Sequence, residues 1–191
     1  MTETRRLRSF IAIPLPQYLQ QQIGVLQSQL RQQLPELKTP RPETLHLTLI
    51  FLGEQPQPLL AEIGQLMLSI GENRKNFNVT VKGLDCFPDL RHPQILWMGI
   101  EPQNDLTDLH QQLTSLLENL GLSPETRRYR PHLTIGRFRR RPETTDPLCP
   151  FLSQDLGSLK IDRMVLYNSR LAAQGAIHTP LATAMLNGNG V

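Results

Sequence analysis

Apolar residues recur along this chain in two rhythms, and the switches between them outline the elements. Residues 7–13 (LRSFIAI) are rich in strand formers and closed by Pro14 and Pro16, which predicts a strand. Over 18–34 the spacing lengthens: Leu19, Ile23, Leu26 and Leu30 recur at helical intervals in a glutamine-rich stretch ended by Pro35 and Pro40. The alternating segment 45–52 (LHLTLIFL) predicts a second strand with Gly53 as its stop, and 59–70 a second helix entered through Pro56 and Pro58. Residues 78–87 and 94–100 read as two strands joined by a turn around Pro88, Asp89 and His92. A third helix over 105–119 carries Leu106, Leu109, Leu113, Leu116 and Leu117 on one side and ends at Gly121. A strand over 131–138 (PHLTIGRF), a proline-rich loop and two late strands, 159–167 and 176–185, complete the order. Interspersed strands and helices place the chain in the α/β or α+β class rather than the all-α one.

Composition narrows this picture. With 191 residues, 39% hydrophobic and 19% charged, the chain can bury the core of one domain or of two small fused lobes, and it is not a disordered polymer. The charged N-terminus runs into an apolar stretch too short and too broken by prolines for a signal peptide, and no segment approaches a membrane span. Cys86 and Cys149 fit neither a disulfide framework nor a metal-ligand spacing, so a reducing, cytoplasmic setting is expected. A net charge of +3 argues little, but its distribution argues more. Of sixteen arginines, seven lie between Arg127 and Arg141, and a guanidinium suits forked recognition of phosphate oxygens. An arginine-rich solvated loop is the plainer reading of that run.

The chemistry is carried by a repeat. His46-Leu47-Thr48-Leu49 and His132-Leu133-Thr134-Ile135 share a His-x-Thr spacing, the same intervening leucine, a strand context and a preceding loop with proline. One such tripeptide is a weak signal, but the matched pair is a strong one. On a strand, residues two apart share a face, so each histidine projects with its threonine while Leu47, Leu49, Leu133 and Ile135 face a core. Two imidazoles with unperturbed pKa near 6.5 can divide acid and base roles at neutral pH, and threonine hydroxyls can donate to phosphoryl oxygens. No acidic or cysteine cluster accompanies them, so neither a metal nor another cofactor is expected. His92 and His110 read as surface residues, and His178 lacks the spacing. Trp97, the single tryptophan, suits a wall for stacking a nucleobase or a core position equally. Tyr129 and Arg130 stand where they could reach a cleft mouth, though loop packing is the favoured reading.

Taken together, RSFIAIPLP, ETLHLTLIFLGE, QILWMGI, RPHLTIGRF and the late strand with Tyr167 and Ser169 cover most of the chain. In these the chain resembles the 2H phosphoesterases, and within them the RNA 2',3'-cyclic phosphodiesterases also called 2'-5' RNA ligases. The resemblance implies an α+β fold of two pseudo-symmetric lobes around a cleft, here one bilobal catalytic domain over 1–186 and a flexible tail over 187–191. It implies hydrolysis of RNA 2',3'-cyclic phosphate ends, or of cyclic-phosphate nucleotides, to 2'-phosphates, with reversible 2'-5' ligation. It assigns His46 as general acid, His132 as general base, and Thr48 and Thr134 as phosphate ligands. Phe51 and Arg137, each five residues after its histidine, match substrate-contacting positions; alternation alone puts them on the wrong face, so a twist or bulge must intervene, and Gly136 suits one. Arg130 and Trp97 complete the expected substrate contacts. A monomer acting without membrane attachment is expected. The rival readings are an RNA-end or nucleotide-binding protein without catalysis, and a phosphodiesterase acting on another cyclic nucleotide.

Overall fold

The alternating segments assemble into two antiparallel sheets, each carrying one of the two motifs at or beside its edge. A computed structural model describes residues 5–123, 127–173 and 175–188. The elements run β1 (Arg6–Pro14), α1 (Gln17–Gln33), β2 (Leu37–Lys38), β3 (His46–Pro56), α2 (Gln57–Glu72), β4 (Phe77–Phe87), β5 (Ile95–Glu101), α3 (Asn104–Asn119), β6 (His132–Phe138), β7 (Asp155–Ile161), β8 (Arg163–Ala172) and β9 (Gly175–Met185). One sheet has the order β3-β1-β8-β9 and the other β2-β6-β5-β4-β7. This is the mixed α+β, two-sheet architecture expected from the sequence. None of the helices is long and apolar enough to cross a membrane among the described residues.

The short β2 is absent from the sequence reading and several strand ends run on, and two of the differences have a plain physical reason. The run 159–167 is two strands, because the chain turns at Asp162 and passes from the second sheet (β7) to the first (β8). Ile161 and Met164 are both fully buried on either side of the break, so the apolar pattern continues while the hydrogen-bonding partners change. Gly53 does not stop β3 but lets it bend. Its φ of 69° lies in the left-handed region, and the register with β1 slips between Ser9, opposite Gly53, and Phe10, opposite Phe51. The expected tail begins on the body of the fold: the Asn187 and Gly188 amides donate to the carbonyls of Gly71 and Arg74. Residues 189–191 lie outside the described ones.

Helices cross between the layers. α1 follows β1 of the first sheet yet packs on β2, β6 and β7 of the second, while α3 follows β5 of the second and packs against β3 and α2. The buried faces are those marked by the leucine periodicity: Leu19, Ile23 and Leu30 on α1, and Leu106, Leu109, Leu113 and Leu117 on α3, are fully buried. β3 is an outer strand, and β6 meets the short β2 only at Arg137 and Phe138. Both His-x-Thr segments therefore lie on sheet edges, and the two edges approach within 8 Å between Cα atoms.

Gln27 fastens this junction. It is 1% exposed on α1, and its Nε2 donates to the carbonyls of Pro40 (3.2 Å) and Ile135 (3.0 Å). One amide thus holds the loop that leads into β3 and the strand that carries His132. A leucine here would fill similar space but leave the buried Ile135 carbonyl without that donor, a loss of about 1–3 kcal/mol. Gln27→Leu should lower the urea midpoint by the corresponding amount without changing the m-value; an unchanged midpoint would show that the clamp contributes nothing.

Candidate active site

Each motif histidine is fixed in the same way. His46 and His132 sit at the first residue of β3 and β6, where the chain enters from a proline-containing loop. The Nδ1 of His46 lies 2.8 Å from the Thr44 carbonyl, and the Nδ1 of His132 lies 2.7 Å from the Arg130 carbonyl. A carbonyl only accepts, so both Nδ1 atoms carry the proton and both Nε2 atoms are left free to exchange one. The leucines between are fully buried and both threonines are half-exposed, as two-residue alternation requires. Neither the Thr48 nor the Thr134 hydroxyl is hydrogen-bonded to another described residue. The two halves are tied directly. The Tyr129 hydroxyl, three residues before His132, donates to the Thr48 carbonyl at 3.1 Å, and its ring stacks on His110 at 4.2 Å between centroids. His110 is therefore half-buried on α3 rather than the surface residue expected, and Tyr129 is an inter-sheet tie rather than loop packing alone.

Beyond each threonine the alternation breaks at the same place in both strands. Against β1, Thr48 pairs with Ala12 and Ile50 with Ile11, so Leu49 is the extra residue. Against β5, Thr134 pairs with Trp97 and Gly136 with Leu96, so Ile135 is the extra residue. In each bulge two successive residues are buried, Leu49 and Ile50 in one, Ile135 and Gly136 in the other. The next side chain then returns to the histidine face. These are Phe51, 64% exposed, and Arg137, also exposed. Gly136 leaves room for its neighbours, since a Cβ there would come within 2.6 Å of Leu37 Cδ1 and the Leu37 side chain would have to shift.

Aromatic rings wall each histidine. Phe10 lies 4.7 Å from His46, 5.3 Å from Tyr167 and 6.2 Å from Phe51 between ring centroids. His178 meets His46 edge to face at 5.1 Å. On the other side Phe87 lies 5.0 Å from His132 and stacks on Trp97, which is 5.9 Å from His132 and only 6% exposed. The Arg130 guanidinium covers Trp97 at 5.1 Å and Phe87 at 5.6 Å. Trp97 thus combines a core position with contact to the site. Phe10, Phe87 and His178 escaped the sequence reading because they belong to strands β1, β4 and β9, which carry no motif and reach the histidines only through strand pairing. Tyr167 was quoted only as part of a late strand.

This geometry has counterparts among known proteins. The family model of the 2'-5' RNA ligase superfamily matches residues 15–172. The chain belongs to the 2'-5' RNA ligase superfamily. Relatives named RNA 2',3'-cyclic phosphodiesterase include one from Methanocaldococcus jannaschii, 31% identical over 90% of this chain and 96% of that protein. Another, from Methanothermobacter thermautotrophicus, is 28% identical over 92% of this chain and 97% of its own length. The crystal structure of E. coli LigT complexed with 3'-AMP is similar at a TM-score of 0.79 and 26% identity, covering 96% of this chain and 99% of that one.

The electrostatics of this superfamily member differ between its two histidines. Burial is the main cause that pulls His46 down to about 4, with the neighbouring His178 adding to it and the bond to Thr44 opposing it. His132 is also lowered, mainly by burial and then by the positive charges of Arg130 and Arg137, against the bond to the Arg130 carbonyl. Both imidazoles are thus neutral at pH 7 in the unliganded protein. A histidine lowered in the folded state binds a proton more readily when unfolded, so its contribution to stability is present above the unfolded pKa and is lost as pH falls toward the folded one. For His46 that window runs from about 6.5 down to about 4. His46→Gln should therefore flatten the loss of stability between pH 6.5 and 4.5, by on the order of 2 kcal/mol, in urea titrations across that range. Equal pH slopes for the two proteins would contradict the burial of a neutral ring.

Proposed function

We propose that this chain is an RNA 2',3'-cyclic phosphodiesterase that opens cyclic phosphate ends to 2'-phosphates through His46 and His132. The observation that carries the reading is the matched pair of imidazoles on adjoining sheet edges, each with Nδ1 committed to a carbonyl and Nε2 left to move a proton. In the reaction a water oxygen attacks phosphorus while the bond from phosphorus to the 3' oxygen breaks. His132 Nε2 takes the water proton, and His46 Nε2 gives a proton to the departing 3' oxygen. Arg130 and Arg137 disfavour a charged His132, which suits a base. The acid role of His46 needs a proton that the free site binds weakly, and the arriving phosphodiester anion supplies the charge that holds it. Thr48 and Thr134 donate to the non-bridging oxygens as charge builds. Phe51 and Trp97 line the substrate's path, and Arg130 and Arg137 attract its phosphate.

Residues 1–186 act in this reading as one catalytic unit without a metal or other cofactor. No group of three or more histidine, cysteine or acidic residues is placed to hold a metal among the described residues, and the paired imidazoles supply both proton transfers. Ligation to a 2'-5' linkage uses the same two proton transfers in the same direction: the 5' hydroxyl of a second RNA end attacks phosphorus in place of water, His132 takes its proton, and the 3' oxygen leaves with a proton from His46. Cys86 and Cys149 are both free thiols, in keeping with a reducing cytoplasm.

With a 2',3'-cyclic nucleotide as substrate, His46→Ala and His132→Ala should each lower turnover by about two to four orders of magnitude. The double variant should lose less than the product of the two, because both groups serve one transition state. A bell-shaped kcat/KM profile centred below pH 6.5 is expected from two lowered histidines, with kcat shifted to higher pH once the anionic substrate is bound. Activity should persist in excess chelator. A folded histidine variant with near-normal turnover, or a loss restored by one divalent ion, would remove the two-histidine mechanism; a parent protein that binds the nucleotide without turning it over would leave the binding-only reading.

Arg127, Arg128, Arg130, Arg137, Arg139, Arg140 and Arg141 are all exposed, with Arg140 paired to Glu36 at 3.3 Å. If this surface receives the RNA strand beyond its end, affinity for an oligonucleotide should fall more steeply with salt than affinity for a cyclic mononucleotide. Equal slopes in fluorescence titrations would reduce the segment to solvated surface.

A further inference from the structure

His178 is the third imidazole at this site, and its surroundings dictate a tautomer opposite to that of the other two. It projects from β9, where its backbone pairs with Ser169, and its ring meets His46 at 5.1 Å, Phe10 at 5.0 Å and Tyr167 at 6.2 Å. Nδ1 is buried with no hydrogen-bond partner. Nε2 is not among the buried unpartnered atoms and bonds to no other described residue, so it is the open edge of a half-buried ring. A proton on Nδ1 would bury an N–H against aromatic carbon with nothing to accept it. A bare Nδ1 lone pair there costs less, and an imidazolium would bury the same orphan donor with a full charge besides. A second charge beside a protonated His46 would be opposed further.

We propose that His178 is a substrate-binding residue that stays neutral and presents an Nε2–H donor beside His46, to a phosphoryl oxygen of the substrate. His46 and His132 bring free Nε2 lone pairs to exchange protons, whereas His178 brings a fixed N–H and exchanges none. It joins the Thr48 and Thr134 hydroxyls as a donor, but on a rigid ring held by Phe10 and Tyr167, so it is set before the anion arrives.

This inference rests on the proposed reaction, but part of its test does not. Long-range ¹⁵N–¹H correlation spectra of the free protein distinguish protonated from bare ring nitrogens. His178 should show its proton on Nε2, with His46 and His132 showing theirs on Nδ1. A proton on Nδ1 of His178 would overturn the assignment whatever the protein's activity. With a 2',3'-cyclic nucleotide as substrate, His178→Phe keeps the ring packing but removes the donor, and should lower kcat/KM about tenfold. His178→Gln, whose amide N–H can stand in, should stay within about threefold of the parent. A folded His178→Phe variant with unchanged kcat/KM would remove the donor role, as would equal losses in both variants. An inactive parent protein would instead count against the proposed reaction and leave the spectroscopic test standing.

Discussion

The hydrogen bond from each motif imidazole to the carbonyl two residues upstream decides what the two rings can do. A neutral imidazole has one N–H and one lone pair, and which nitrogen holds which depends on what the other end meets. The Thr44 and Arg130 carbonyls settle that question in the same sense for His46 and His132. The bond is local, made inside the turn that leads into the strand, so it forms with the strand. It also favours the charged ring, offsetting part of what burial takes away.

Everything else serves to bring these two local devices together and keep them there. Each lies at a sheet edge, where the ladder leaves one side open, and the two edges adjoin. Three contacts from outside the motifs fix the junction: Gln27 reaching Ile135 and Pro40, Tyr129 reaching Thr48, and His110 stacked on Tyr129. Two of these end on carbonyls in or beside the bulges. An extra residue disrupts the regular ladder locally, and the Gln27 amide supplies a donor to the Ile135 carbonyl at that point. The bulges are therefore part of the site, since they return Phe51 and Arg137 to the histidine face.

The halves match in backbone and diverge in side chains. Around His46 the wall is aromatic and contains a second imidazole, so the ring is lowered by burial more than by charge. Around His132 the wall carries guanidinium groups, one of them over Trp97, so charge adds to burial. Two identical tripeptides thus acquire different electrostatic surroundings, His178 of β9 beside His46 and Arg130 and Arg137 of its own segment beside His132. That difference is the physical ground for giving the two histidines different roles.

The sequence by itself determined most of the elements, the pairing of motifs and the face on which each His-x-Thr lies. All three follow from periodicity, and periodicity is a property of consecutive residues. The family resemblance, which puts Phe51 and Arg137 at the substrate, implied a break after each threonine, because at odd spacing neither can share a face with its histidine on a regular strand. Tertiary structure decided where that break falls, since a bulge is defined by which residue the partner strand leaves unpaired: Leu49 opposite β1 and Ile135 opposite β5. It split 159–167 into two strands, because an apolar alternation does not specify which sheet will receive it. It also brought Phe10, Phe87, Tyr167 and His178 to the histidines, and Gln27 and Tyr129 to the junction. Those residues act through contacts made across strands and layers, and no spacing along the chain encodes them.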